Sequence, residues 1–134
     1  RDWSSDVCSS DLFEVCACAL GNEDTHINMI ITKENTGHSH VDTNSLGQGL
    51  IPMHRLDSLQ LPKIDYIKLD CEGYEYNILL GAQRTIIGNR PIVVIEDKAH
   101  KDVGHNNTVG AVDLLVSWGA CVLDRVKNDV IIGW

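Results

Sequence analysis

The sequence predicts an α/β fold with a mostly parallel sheet and a C-terminal antiparallel hairpin, and three observations predict it. First, two short runs rich in β-branched residues, 64–69 and 92–95, read as strands, and each stops at a carboxylate, Asp70 and Glu96. Second, the apolar period between them turns helical over 74–87, where Ile78, Leu79, Ala82 and Ile86 fall on one face. Gly88-Asn89 signals a C-cap there and Pro91 forbids continuation. Third, the apolar runs 121–123 and 130–132 flank the turn-rich segment 124–129, a link short enough only for an antiparallel pair.

Strand, helix and strand make a βαβ unit, which is almost always right-handed with parallel strands. The unbroken apolar run 92–95 suits a sheet covered on both faces. Neighbouring parallel strands lie about 4.8 Å apart. Asp70 and Glu96 are therefore expected side by side at the carboxyl edge, with Glu72 in the loop above them. Ligands of open α/β sheets bind at that edge. The plain structural alternative is that Asp70 caps the helix while Glu72 and Glu75 complement its N-terminus. Three acids on one edge favour a binding site. Lys68 alternates with Ile67 and Leu69 and reads as structural, and Glu75 reads as a surface position.

The 134 residues suffice for one domain with a real core. A net charge of −8 argues against nucleic acid or an anionic membrane as the main partner. No apolar run approaches a membrane span, and no signal-peptide pattern opens the chain. The five cysteines include no Cys-x-x-Cys, so they read as reduced small hydrophobes of a cytoplasmic protein, with Cys16 and Cys18 on one strand face.

The chain opens on Arg1, which suggests a fragment, and residues 1–12 lack any period and resemble a translated sequencing adapter; they are set apart as a non-native lead-in. Residues 13–20 and 27–32 are expected as strands of a hairpin around Gly21-Asn22-Glu23-Asp24. The polar stretch 33–49 is expected as a loop; its His38 and His40 have metal-like spacing but no third ligand, and read as exposed loop histidines. Residues 50–56 add a strand, and Asp57 or Ser58 caps a short turn before Pro62. The polar loop after Glu96 carries His100, a candidate base by position, and Thr108 is the expected N-cap of a helix that ends at Gly119.

The stretch Ile67-Lys68-Leu69-Asp70-Cys71-Glu72-Gly73-Tyr74-Glu75, then Leu79-Leu80-Gly81-Ala82, then Arg90-Pro91-Ile92 and Glu96, resembles the FkbM family of S-adenosylmethionine-dependent methyltransferases. Leu56-Asp57-Ser58-Leu59 is similar to the family's Leu-Asp step before this strand, and Ala19-Leu20-Gly21-Asn22 to its turn after an earlier strand. The resemblance implies a partial Rossmann-like class I methyltransferase sheet, with residues 13–134 as the C-terminal part of a single domain. No Gly-x-Gly occurs in the N-terminal third, and Gly47-Gln48-Gly49 lacks the strand and helix of a nucleotide loop, so the first strands and the Gly-rich turn are expected to be missing. The strand ending at Asp70 would then have an open edge.

The resemblance further implies an O-methyltransferase that moves a methyl from S-adenosylmethionine to a hydroxyl of a sugar, glycan or small metabolite. Asp70 is assigned nearest the transferred methyl, Ala19 and Asp70 to cofactor binding, and Glu72 or Glu96 to the catalytic base. A divalent ion held by Asp70, Glu72 and Glu96 is a lesser variant. Two rival readings stand beside this one: an inactive truncated α/β fragment, and a phospho-acceptor receiver-like signalling domain using Asp70, with Glu23-Asp24 as its acidic pair and a poorly placed Lys98. The acceptor and the oligomeric state are left open.

Overall fold

In the computed structural model the described residues are 14–31, 39–96 and 110–134. They form a mixed α/β structure with two four-stranded sheets. The first contains β1 (Ala19–Leu20), β2 (Thr25–Ile30), β3 (His40–Asp42) and β4 (Ile51–His54), in the order β1-β4-β2-β3. The second contains β5 (Tyr66–Leu69), β6 (Ile92–Glu96), β7 (Cys121–Val126) and β8 (Asp129–Gly133), in the order β5-β6-β8-β7. Helices α1 (Glu75–Leu80) and α2 (Gln83–Asn89) join β5 to β6, and α3 (Ala111–Ser117) precedes β7.

β5 and β6 are parallel neighbours, with Leu69 opposite Ile95. The C-terminal hairpin is antiparallel, and β8 also pairs with β6, setting Asp129 opposite Glu96. The expectation of a mostly parallel sheet is corrected: among the described residues β5–β6 and β1–β4 are parallel and every other pairing is antiparallel. The hairpin expected from residues 13–20 and 27–32 is corrected too. β4 lies between β1 and β2, parallel to one and antiparallel to the other, so a segment distant in sequence outcompetes the local turn. Residues 33–49 are not all loop, since His40–Asp42 forms β3 and Thr43–Ser45 a 3₁₀ turn capped by the Asp42 carboxylate.

Apolar side chains from both sheets and all three helices meet in one core, which includes Ile27 and Met53, Leu69, Val93, Ile95 and Ile132, and Leu79, Ile86 and Leu115. In the second sheet the buried side chains lie on one face, and those on the opposite face are exposed or half-buried among the described residues. Val93 and Ile95 are buried, whereas Tyr66, Lys68 and Ile92 on the opposite face are exposed, which corrects the expectation of cover on both faces among the described residues.

The single helix expected over 74–87 is broken at Gly81-Ala82. Here the chain runs hard against the residue that follows β1: a Cβ on Gly81 would lie 1.9 Å from the Gly21 carbonyl oxygen. Asp57 takes over the hydrogen bonds that the break releases. Its amide donates to the Gly81 carbonyl (2.9 Å), and its carboxylate accepts the Arg84 and Thr85 amides (3.1 and 2.8 Å). Asp57 thus caps α2 from 27 and 28 positions away instead of capping its own 3₁₀ turn. The C-cap of α2 is Arg90, in the left-handed region at φ 50°, and not Gly88-Asn89. Asn89 instead ties the loop before β5 to the helix by accepting the Ile64 amide.

The cysteines are less buried than small hydrophobes would be. Cys16 and Cys121 are exposed, Cys18 and Cys71 half-buried, and Cys16 lies before β1 rather than in a strand. α3 begins at Ala111 with Gly110 as N-cap and no side-chain cap. The lead-in 1–12, Phe13, His38, Lys98, His100 and Thr108 lie outside the described residues.

Candidate active site

The carboxyl end of β5 passes into α1 through a tight turn. The Tyr74 amide donates to the Cys71 carbonyl at 3.2 Å, and the two residues between, Glu72 and Gly73, have φ of 52° and 93°. Positive φ at both central positions is the pattern of a type I′ turn. Glycine takes it freely; a glutamate there costs roughly 1–2 kcal/mol. Something else must therefore hold Glu72 in place. Glu75, the first residue of α1, is 4% exposed, and its carboxylate accepts the Cys71 amide at 2.6 Å. It is a buried strut of the turn, which corrects its reading as a surface position. The same burial pushes the Cys71 thiol up to about 11, with the Glu75 and Asp70 charges adding to it.

This turn completes a cluster. One carboxylate oxygen from each of Asp70, Glu72 and Glu96 lies within 4.8 Å of the others, with Asp70 exposed and the two glutamates half-buried. The β5–β6 register explains the first pair, because Leu69 opposite Ile95 puts Asp70 beside Glu96. The turn brings Glu72 over them. Like charges at this separation repel by about 1 kcal/mol in water and about 3 kcal/mol at a protein-surface dielectric, a cost that surrounding groups must offset. Lys68 offsets part of it. Its ammonium bonds the Asp129 carboxylate at 2.5 Å. That bond raises its pKa against the opposing effect of desolvation, and the Asp129, Asp70 and Glu96 charges raise it further.

Ala19 is not brought into this group. It sits in the other sheet, half-buried, opposite Met53. The start of α1 packs against the first sheet, where the Tyr74 hydroxyl lies 3.8 Å from the Met53 sulfur on β4. Burial, and then the Glu23 charge, holds the Tyr74 phenol above its ordinary range. Asp24 is a structural acid: Arg55 and Ser58 bond its carboxylate and hold its pKa well below the usual carboxylate range. Sequence reasoning missed Glu75, the Lys68–Asp129 pair and the remote cap at Asp57. The available signal for Glu75 was a carboxylate two residues after Gly73, a glycine in a turn that takes positive φ.

Three converging carboxylates can accept a proton, hold a cationic group, or offer oxygen ligands to a hard divalent cation. Among the described residues no other grouping of three histidine, cysteine or acidic side chains comes this close.

The family model of the methyltransferase FkbM domain matches residues 8–119. The crystal structure of methyltransferase FkbM from Methylobacillus flagellatus KT is similar in fold, with a TM-score of 0.52 and 16% sequence identity over 90% of this chain. The chain spans 28% of the length of that protein. No curated protein is similar enough in sequence to count as a relative. With a family match that covers most of its length, and the Asp70–Glu96 edge inside the matched residues, the chain belongs to the FkbM methyltransferase family.

Proposed function

We propose that the chain is part of an S-adenosylmethionine-dependent O-methyltransferase, and that the Asp70–Glu72–Glu96 edge is where its reaction takes place. The observation that carries this reading is the convergence of three carboxylates within 4.8 Å at the carboxyl edge of parallel strands in a chain of this family. The donor set fits the sulfonium end of the cofactor, since a cation is stabilised beside clustered carboxylates. When bound, the cofactor supplies an electrophilic methyl group.

The chain's own residues do the rest. Asp70, the most exposed of the three, orients the cation at the strand end. Glu72 or Glu96 accepts the proton of the substrate hydroxyl, which makes the oxygen a better nucleophile. Holding hydroxyl and methyl in line contributes up to about 7–11 kcal/mol. The turn at Glu72-Gly73, with positive φ at both residues, sets the backbone position from which the Glu72 carboxylate reaches the edge. The acceptor we propose is a hydroxyl of a sugar, glycan or small metabolite. A net charge of −8 disfavours nucleic acid and anionic membrane surfaces. No helix among the described residues is long and apolar enough to cross a membrane.

The test is turnover by the complete enzyme. Glu72→Gln or Glu96→Gln, whichever is the base, lowers kcat by about 10²–10⁴-fold with cofactor affinity little changed. Asp70→Asn weakens cofactor binding as well. Normal turnover in all three variants, combined with earlier melting, would make these acids purely structural.

A further inference from the structure

In an extended strand two residues at i and i+2 sit roughly 6.5 Å apart along the chain. Cys16 and Cys18 are placed differently. The Cys18 amide donates to the Cys16 carbonyl at 2.9 Å, a three-residue turn centred on Ala17. This bond draws the two residues together just before β1, and their sulfurs lie 3.3 Å apart. A disulfide bond is about 2.05 Å long, so closure needs the sulfurs to approach by roughly 1.3 Å, a movement within reach of side-chain rotation. Cys16 is exposed and Cys18 half-buried, so an incoming reagent reaches one thiol while the second waits beside it. The other described thiols differ. Cys71 is half-buried in the turn at the acidic edge, and Cys121 lies on β7 in the second sheet.

We propose that Cys16 and Cys18 form a redox-reversible dithiol site that exchanges with small disulfides of the glutathione class. The Cys16 thiolate attacks one sulfur of the small disulfide; a mixed disulfide forms and one small thiolate leaves. The Cys18 thiolate then attacks the Cys16 sulfur of that mixed disulfide, which closes the Cys16–Cys18 bond and expels the second small thiolate. The two protons released by the cysteines end on the two departing thiols. The protein is oxidised by two electrons and the small disulfide is reduced by two. Exposed or strained disulfides have the more oxidising potentials and are the labile ones, so excess reduced thiol reopens this bond. The proposal is independent of the methyl-transfer reading, because neither cysteine belongs to the acidic edge.

The test uses the full chain carrying Cys8→Ser, so that any link can be assigned. The reduced protein is incubated with oxidised glutathione, its remaining thiols are alkylated, and it is digested without reductant for mass spectrometry. The expected product is a peptide lighter by two hydrogens, with Cys16 linked to Cys18 and no glutathionyl group on either; reduced glutathione reverses it. Adding Cys18→Ser should trap one glutathionyl group on Cys16, because the resolving thiol is gone. Stable glutathionyl groups on the unsubstituted pair overturn the proposal. So does full alkylation of both Cys16 and Cys18 under conditions in which exposed Cys121 takes up glutathione.

Discussion

Asp57 and the Asp70–Glu96 edge are both centred on carboxylates, and they place them differently: one acid at a helix break, three acids at a strand edge. The Asp57 side chain is 8% exposed and surrounded by donors: the Arg84 and Thr85 amides, with the Arg84 guanidinium 3.6 Å away. Burial pushes its pKa up, but the Thr85 and Arg84 hydrogen bonds and the Arg84 charge outweigh burial and hold it below the ordinary range. At the edge, Asp70, Glu72 and Glu96 crowd one another, and one of them stands on a backbone conformation unfavourable for glutamate. Three acids brought together at a strand edge, with Glu72 on strained backbone, mark a candidate functional site.

The comparison can be broken at either region. The largest effect is expected at the helix break, which Asp57 serves. Gly81→Ala places a Cβ 1.9 Å from the Gly21 carbonyl oxygen and should lower stability by about 3 kcal/mol or more, measured by denaturant titration. A loss below about 1 kcal/mol would mean that β1 and the helix junction are not in firm contact. Next comes Asp57→Ala, which removes the acceptor for two helix amides and should cost about 2–3 kcal/mol. Its pH dependence carries a sign. A depressed carboxylate pKa adds stability that is full above the unfolded value and is lost as pH falls through the folded one. The gap between wild type and Asp57→Ala should therefore persist at neutral pH and close below 3.8, and a gap that persists at lower pH would remove the charge from the explanation. Glu75→Ala should cost about 1–2 kcal/mol by stranding the Cys71 amide. If Glu75 instead behaves as a surface residue, within about 0.5 kcal/mol of wild type, the turn is held by something else.

The same contrast explains what could be read from the sequence. The strand, helix and strand around Asp70 were legible because β-branched runs, a helical apolar period and Pro91 act locally. The edge acids were legible because strand ends are set by the same local signals. Asp57 was legible only as a turn former, since its partners lie 27 and 28 residues on and nothing near it shows where its carboxylate points. The helix break at Gly81 depends on the approach of Gly21, and the insertion of β4 between β1 and β2 on long-range pairing; neither leaves a periodic trace. Glu75 was misread because a first-turn glutamate is usually solvated, and here the returning turn buries it.

One measurement tests most directly the claim that the edge is kept for function against stability. Glu72→Gly relieves the left-handed backbone at φ 52° and removes one of three crowded charges. The account predicts that the denaturant midpoint of the chain rises, by about 0.5–1 kcal/mol of stability after allowance for the glycine's greater freedom when unfolded, while turnover by the complete enzyme falls. A lower midpoint for Glu72→Gly, comparable to the loss in Asp57→Ala, would contradict it and make Glu72 a structural acid like Asp57.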